Sequence, residues 1–189
     1  MPRFNAEAFV DDIIARYGHL VDEANHTRGG LIDGLEAAGW TFLDNGAFAV
    51  VYLSPCKRYA ARASRPDKGY ELYARIVKAH PKNPYFPIVH AHRVMPDGCM
   101  MTVIERLQHT SKGVELGRAF KDDCNAYLAT RMTANLPSGK HRAEAVRLLC
   151  QTRYDDAHRE DIYFDMKISN LMVRPNGHLV ITDPYAPIF

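Results

Sequence analysis

A chain of 189 residues, 47% hydrophobic and 24% charged, is long enough for one sizeable domain or two small joined lobes. Its 24 basic and 22 acidic residues leave a net charge of +2 with no run of like charges, which removes any compositional argument for a nucleic-acid partner. No segment approaches the ~20 apolar residues of a membrane span, the N-terminus lacks the continuous apolar stretch of a signal peptide, and the cysteines at 56, 99, 124 and 150 are spaced for neither a disulfide framework nor a metal pair.

A reduced, cytoplasmic protein with no membrane partner is therefore expected. Residues 6 to about 25 read as an amphipathic helix, with Phe9, Ile13, Tyr17, Leu20 and Val21 at near-helical spacing and Asp11, Asp12, Arg16 and Glu23 opposite. Gly29-Gly30 breaks it, and a second short helix ends near Gly39. From Trp40 the period changes. "TFLDNGAFAVVYLSP" reads as a hairpin around a glycine-containing turn, and "KRYAARAS" as the next strand. "KGYELYARIVKAH" is helical, with Tyr70, Tyr73, Ile76 and Val77 on one side. "FPIVHAHRV" and "CMMTVIERL" are strands joined by the turn "MPDG".

Beyond Leu107, "GRAFKDDCNAYLAT" and "GKHRAEAVRLLCQTRYDDAH" are helical, divided by Pro137-Ser138-Gly139. The last stretch is loop, strand, Asn176-Gly177 turn and strand, and Asn-Gly between apolar strands is a strong hairpin signal. The expected organisation is α+β: a helical segment over 1–39, a small antiparallel sheet with an inserted helix over 40–107, and a short helical part ending in a hairpin over 108–189.

The candidate chemistry is concentrated near the C-terminus. Asn170 lies five positions after Asp165, and Asp183 thirteen after Asn170, with the hairpin doubling the chain back between them. Two oxygen ligands so placed, Asn170 and Asp183, suit Mg²⁺, a hard cation that completes its shell with phosphates and water. Asp165 stands free to accept a proton from an attacking hydroxyl. Lys167, two residues on, faces the same side, where an ammonium would neutralise a transferring phosphoryl group. By contrast, His90 and His92 share a strand face without a third ligand in register, so zinc is not expected. The basic, tyrosine-containing stretch from Arg65 to Lys82 reads as a solvated helix rather than a nucleic-acid surface.

The offsets of Asp165, Lys167, Asn170 and Asp183 resemble the catalytic loop and metal-binding aspartate of protein kinases. Upstream, "LDNGAFAVVY" resembles their glycine-rich loop. Gly46 is the single glycine kept, and Asp44 and Ala49 take the places of the others. "YAAR" resembles the strand that carries the phosphate-binding lysine, with Arg62 in its place. The resemblance covers roughly residues 40 to 186. It is closest to the early serine/threonine kinases of Autographivirus-type bacteriophages, on the strength of Asn45-Gly46-Ala47-Phe48, Phe164-Asp165-Met166, Asn170-Leu171-Met172 and Ile181-Thr182-Asp183-Pro184.

That resemblance implies a protein-kinase-like fold with a truncated helical lobe. It implies ATP held by Asn45, Gly46, Ala47, Phe48, Val51, Ala60 and Arg62, with Glu71 as the ion-pair partner of Arg62. The backbone of Glu105, Arg106 and Leu107 would face adenine. Host bacterial proteins would be the substrates or targets, in the bacterial cytoplasm. The pattern also departs from that of kinases: Tyr163 and Phe164 replace His-Arg, Pro184-Tyr185 replaces Phe-Gly, and no A-P-E motif follows. Peptide recognition would then come from the N-terminal helices, from residues 108 to 140 or from a second subunit. Two further readings stay open: a degenerate kinase fold that inhibits a host or defence protein by binding, and a small-molecule phosphotransferase of the aminoglycoside-kinase type.

Overall fold

The computed structural model describes residues 4–20, 28–130, 137–154 and 162–188, and its elements form an α+β architecture. The chain divides into two compact units, residues 1–67 with 88–106, and residues 68–87 with 107–189. The grouping differs from the expected one at two points: the N-terminal helices belong with the sheet, and the inserted helix belongs with the C-terminal part.

In the first unit, α1 (Ala6–Tyr17) starts at Asn5, whose side chain accepts from the Ala8 amide at 3.2 Å, as an N-cap should. It stops earlier than its apolar spacing suggested, where the Gly18 amide closes on the Ile14 carbonyl; positions 21–25 of the expected helix lie outside the described residues. After α2 (Arg28–Ala37) come β1 (Thr41–Asn45), β2 (Ala49–Leu53), β3 (Tyr59–Ser64), β4 (Val89–Val94) and β5 (Met100–Glu105). They form one antiparallel sheet in the order β1-β2-β3-β5-β4.

Side chains alternate across this sheet. Tyr52, Ala61, Ala63, Ala91, Met101 and Val103 share a core with Val10 and Ile13 of α1, Leu31 and Leu35 of α2, and Trp40. Each large apolar side chain so buried contributes about 1.5–3 kcal/mol. Arg93, on the same face, ties β4 to α1 through Glu7 and Asp11. The other face carries Val51, Arg62, Thr102 and His92, which are direct cross-strand neighbours. His92 Nδ1 lies 2.9 Å from the Thr102 hydroxyl, and His90 meets Tyr59 edge to face.

The second unit contains α3 (Lys68–Ala79), α4 (Ser111–Thr130), α5 (Lys140–Tyr154), β6 (Ile162–Phe164), a single 3-10 turn (Ile168–Asn170), β7 (Leu171–Val173), β8 (Leu179–Ile181) and β9 (Tyr185–Pro187). The Asn176-Gly177 turn joins β7 to β8 as expected, with Gly177 at φ +80, a left-handed conformation that glycine adopts without strain. The chain before and after this hairpin forms a second ladder, β6 with β9, where sequence alone offered loop. Tyr185 of β9 is buried and donates its hydroxyl to the Leu149 carbonyl at 2.7 Å. Gly69 lets α3 approach this strand: a Cβ there would meet Tyr185 main-chain atoms at 3.2 Å.

The helix expected from Gly117 in fact begins at Ser111, after the Thr110 hydroxyl accepts from the Gly113 amide at 3.0 Å. Gly113 and Gly117 are poor helix formers by propensity, which tertiary packing outweighs. They leave room for Val173 and Leu171 of β7, which a Cβ would meet at 3.1 and 2.8 Å. The described residues contain no helix long and apolar enough to cross a membrane; Cys56 is exposed, and Cys99, Cys124 and Cys150 are buried.

Candidate functional site

Within the second unit, Asp165, Lys167, Asn170 and Asp183 are tied together by short hydrogen bonds. The Asp165 amide donates to the Pro184 carbonyl at 2.8 Å, joining the end of β6 to the start of β9. The Asn170 side-chain nitrogen donates to two main-chain carbonyls, that of Asp165 at 3.1 Å and that of Asp183 at 2.6 Å. The Asn170 carbonyl in turn accepts from the Thr182 amide at 2.8 Å and the Thr182 hydroxyl at 3.0 Å. One asparagine therefore fixes both chain segments.

These bonds also settle which end of the amide is which. Two carbonyl acceptors require donors, so the nitrogen faces them and Asn170 Oδ1 is directed elsewhere, with the Ser169 hydroxyl 3.5 Å away. An amide oxygen and the Asp183 carboxylate make an all-oxygen donor set. Among the described residues no group of three or more His, Cys, Asp or Glu converges as a metal cage. The two-ligand set fits Mg²⁺, which keeps waters and phosphate oxygens in its remaining positions.

Lys167 Nζ lies 2.9 Å from Asp165 Oδ2, with the lysine side chain 66% exposed and the aspartate 15%. The hydrogen bond that Lys167 donates to Asp165, and then the charge of that carboxylate, raise the Lys167 pKa, so the ammonium is secure at neutral pH. The base and the cation named from sequence therefore share one surface. Met166, between them, is buried and roots the loop.

In the first unit, Asn45 ends β1, Gly46, Ala47 and Phe48 make the connection, and Val51 lies on β2. The Gly46 amide donates to the Ala49 carbonyl at 2.8 Å. A Cβ on Gly46 would find only that carbonyl oxygen, 4.0 Å away, and its φ is not in the left-handed range. Neither packing nor backbone conformation requires glycine there. Asp44 turns its Oδ1 back to accept from the Asn45 amide at 2.8 Å.

Arg62 and Ala60 lie on β3, with Arg62 directly opposite Val51. Arg62 forms a buried ion pair with Asp67, Nη2 to Oδ2 at 3.0 Å, with side chains 12% and 2% exposed. Glu71 is on α3, in the other compact unit. The path of the chain after β3 returns the Asp67 carboxylate to Arg62. At this burial, removing one partner of such a pair costs about 3–5 kcal/mol.

At the end of β5, the Glu105 amide donates to the Ile88 carbonyl at 3.1 Å and the Arg106 amide to the Arg58 carbonyl at 2.9 Å. These two amides bond within the first unit. Leu107 is buried in the second unit.

No protein-family model and no curated protein sequence matches the chain. Among solved structures it is similar to the Cydia pomonella granulovirus kinase PK-1, with 17% identity and a TM-score of 0.41, over 80% of this chain and 55% of that one. It is also similar to an aminoglycoside phosphotransferase from Streptomyces rimosus, with 12% identity and a TM-score of 0.38, over 79% of this chain and 73% of that one. The chain thus spans just over half the length of the granulovirus kinase.

Proposed function

We infer that this chain transfers a phosphoryl group from ATP to a hydroxyl, with serine or threonine side chains of bacterial host proteins as the acceptors. The observation that carries the reading is the Asn170 amide bridging the Asp165 and Asp183 main chains at 3.1 and 2.6 Å, with Lys167 Nζ 2.9 Å from the Asp165 carboxylate. Asp165 accepts or orients the attacking hydroxyl's proton. Lys167 balances negative charge on the group being transferred. Asn170 Oδ1 and Asp183 would hold Mg²⁺, which when bound neutralises the nucleotide phosphates. Arg62 offers its planar fork to phosphate oxygens, and the open position of Gly46 lets its backbone come close to them.

The test is incubation of the purified protein with labelled ATP, Mg²⁺ and bacterial lysate. Label should pass to protein with the native chain and not with Asp183→Ala. Transfer that survives Asp183→Ala would sink the assignment.

A second reading, a kinase-like module that inhibits a host or defence protein by contact alone, is favoured by Arg62 being held by Asp67 and by Asp44 in a glycine position. It requires that the biological effect persist in both Asp165→Ala and Asp183→Ala proteins.

A further inference from the structure

The stretch Ile162-Tyr163-Phe164-Asp165-Met166 alternates, and a strand sends successive side chains to opposite faces. Ile162 and Met166 are buried, and the Phe164 ring packs 6.0 Å from that of buried Tyr185. Tyr163 and Asp165 therefore share the outward face, with Tyr163 43% exposed. Across the ladder Tyr163 pairs with Ala186, and the next position of that strand on the same face is Ile188, 48% exposed. The bond from the Asp165 amide to the Pro184 carbonyl at 2.8 Å carries the ladder as far as the reacting carboxylate. The apolar pair and the base thus stand on one piece of backbone, inside the second unit.

We propose that this face, Tyr163 with Ile188, binds the acceptor segment and selects an apolar side chain two residues from the serine or threonine that is phosphorylated. The inference rests on the phosphoryl-transfer reading of Asp165. Alternate side chains of an extended peptide repeat every ~6.6 Å, the spacing that also separates Tyr163 from Asp165 along β6. With the acceptor hydroxyl at Asp165, the side chain two positions away meets the Tyr163 ring, and the adjacent one points off the face. A tyrosine ring gives such a contact a broad apolar surface at low entropic cost. Ala186 is the small floor between Tyr163 and Ile188. Lys167 Nζ, 2.9 Å from Asp165 Oδ2, borders the patch at the carboxylate. Asp165 leads in holding the Lys167 proton, and the Tyr163 phenol adds to it, which puts the ring beside the ion pair.

The experiment gives the full chain Mg-ATP and short synthetic peptides, each with a single serine in a glycine and lysine background. One leucine is placed one or two positions to either side of the serine, or left out, and KM and kcat are measured for each peptide. With the native chain, one of the two peptides with leucine two positions away should have a KM about tenfold below that of the leucine-free peptide. Leucine at the adjacent positions should give no such gain. Tyr163→Ala should melt cooperatively, erase the gain, and change kcat by less than about threefold. Tyr163→Phe should keep it, since the ring makes the contact. A gain at an adjacent position, no gain anywhere, or a gain that survives in folded Tyr163→Ala overturns the proposal. So does a fall in kcat with the leucine preference intact, which would mark a structural role for Tyr163. Should Tyr163→Ala fail to fold, Ile188→Ser decides: a weakened preference supports the proposal, and an intact one overturns it. A native chain that labels lysate protein but none of the peptides overturns this selectivity alone. A native chain that labels neither overturns the function and this inference together.

Discussion

The side-chain nitrogen of Asn170 donates to the main-chain carbonyl of Asp183 at 2.6 Å, across thirteen residues of sequence and a complete hairpin. Through the same nitrogen it reaches Asp165 at 3.1 Å. The residue named from sequence as a metal ligand is also the stitch that holds the base and the second carboxylate in one place.

Asn170→Asp tests both roles. It replaces a donor facing two carbonyls with acceptors, so the chain should lose about 1–3 kcal/mol of stability as well as transfer activity. Urea unfolding reads the first and label transfer the second. A variant with native stability would mean that the amide is not needed to join the two segments.

Asp165→Ala removes the carboxylate beside Lys167 without taking apart the main-chain bonds around it. Cooperative melting should remain and transfer should fall by at least about 10²-fold. The Lys167 ammonium loses the partner that raises its pKa, so amine-selective acylation of Lys167 should begin at lower pH than in the native chain.

Gly46→Ala should leave the melting temperature unchanged, since the added methyl meets only the Ala49 carbonyl oxygen at 4.0 Å. If the backbone there approaches phosphate, KM for ATP should rise several-fold. An unchanged KM would remove Gly46 from the nucleotide site.

Gly69→Ala places a Cβ 3.1 Å from the Tyr185 Cβ and 3.2 Å from its main-chain carbon and oxygen. Backbone cannot rotate out of the way as a side-chain tip can. The variant should therefore lose about 1–3 kcal/mol, visible as a lowered urea midpoint, despite the better helix propensity of alanine.

His178 carries the pH dependence. Burial first, then the Arg174 guanidinium, lowers its pKa from the ordinary 6.5. The folded state holds it neutral while the unfolded chain takes up a proton near the ordinary value. Its contribution is complete above that value and is lost as pH falls through the lower folded pKa. His178→Phe keeps a ring against Tyr85, at present 4.9 Å away between centroids. It should lose less stability than the native chain as pH falls below the ordinary imidazole value, measured by urea unfolding.

What local chemistry determined is substantial. The switch from 3.6-residue to two-residue periodicity at Trp40, the MPDG and Asn-Gly turns, and the offsets of Asp165, Lys167, Asn170 and Asp183 are near-neighbour properties, and a linear chain displays them directly. Tertiary structure decided the rest. The β6–β9 ladder consists of three-residue strands too short to show a period, and it exists because the hairpin returns the chain beside itself. The helix extends back past Gly117 and Gly113 to Ser111, where β7 packs on both glycines. The Asp67 carboxylate meets Arg62 only because the loop after β3 turns back onto the sheet. Each of these depends on which distant or turned-back groups share a low-dielectric space, and that is fixed only when the whole chain buries its apolar faces.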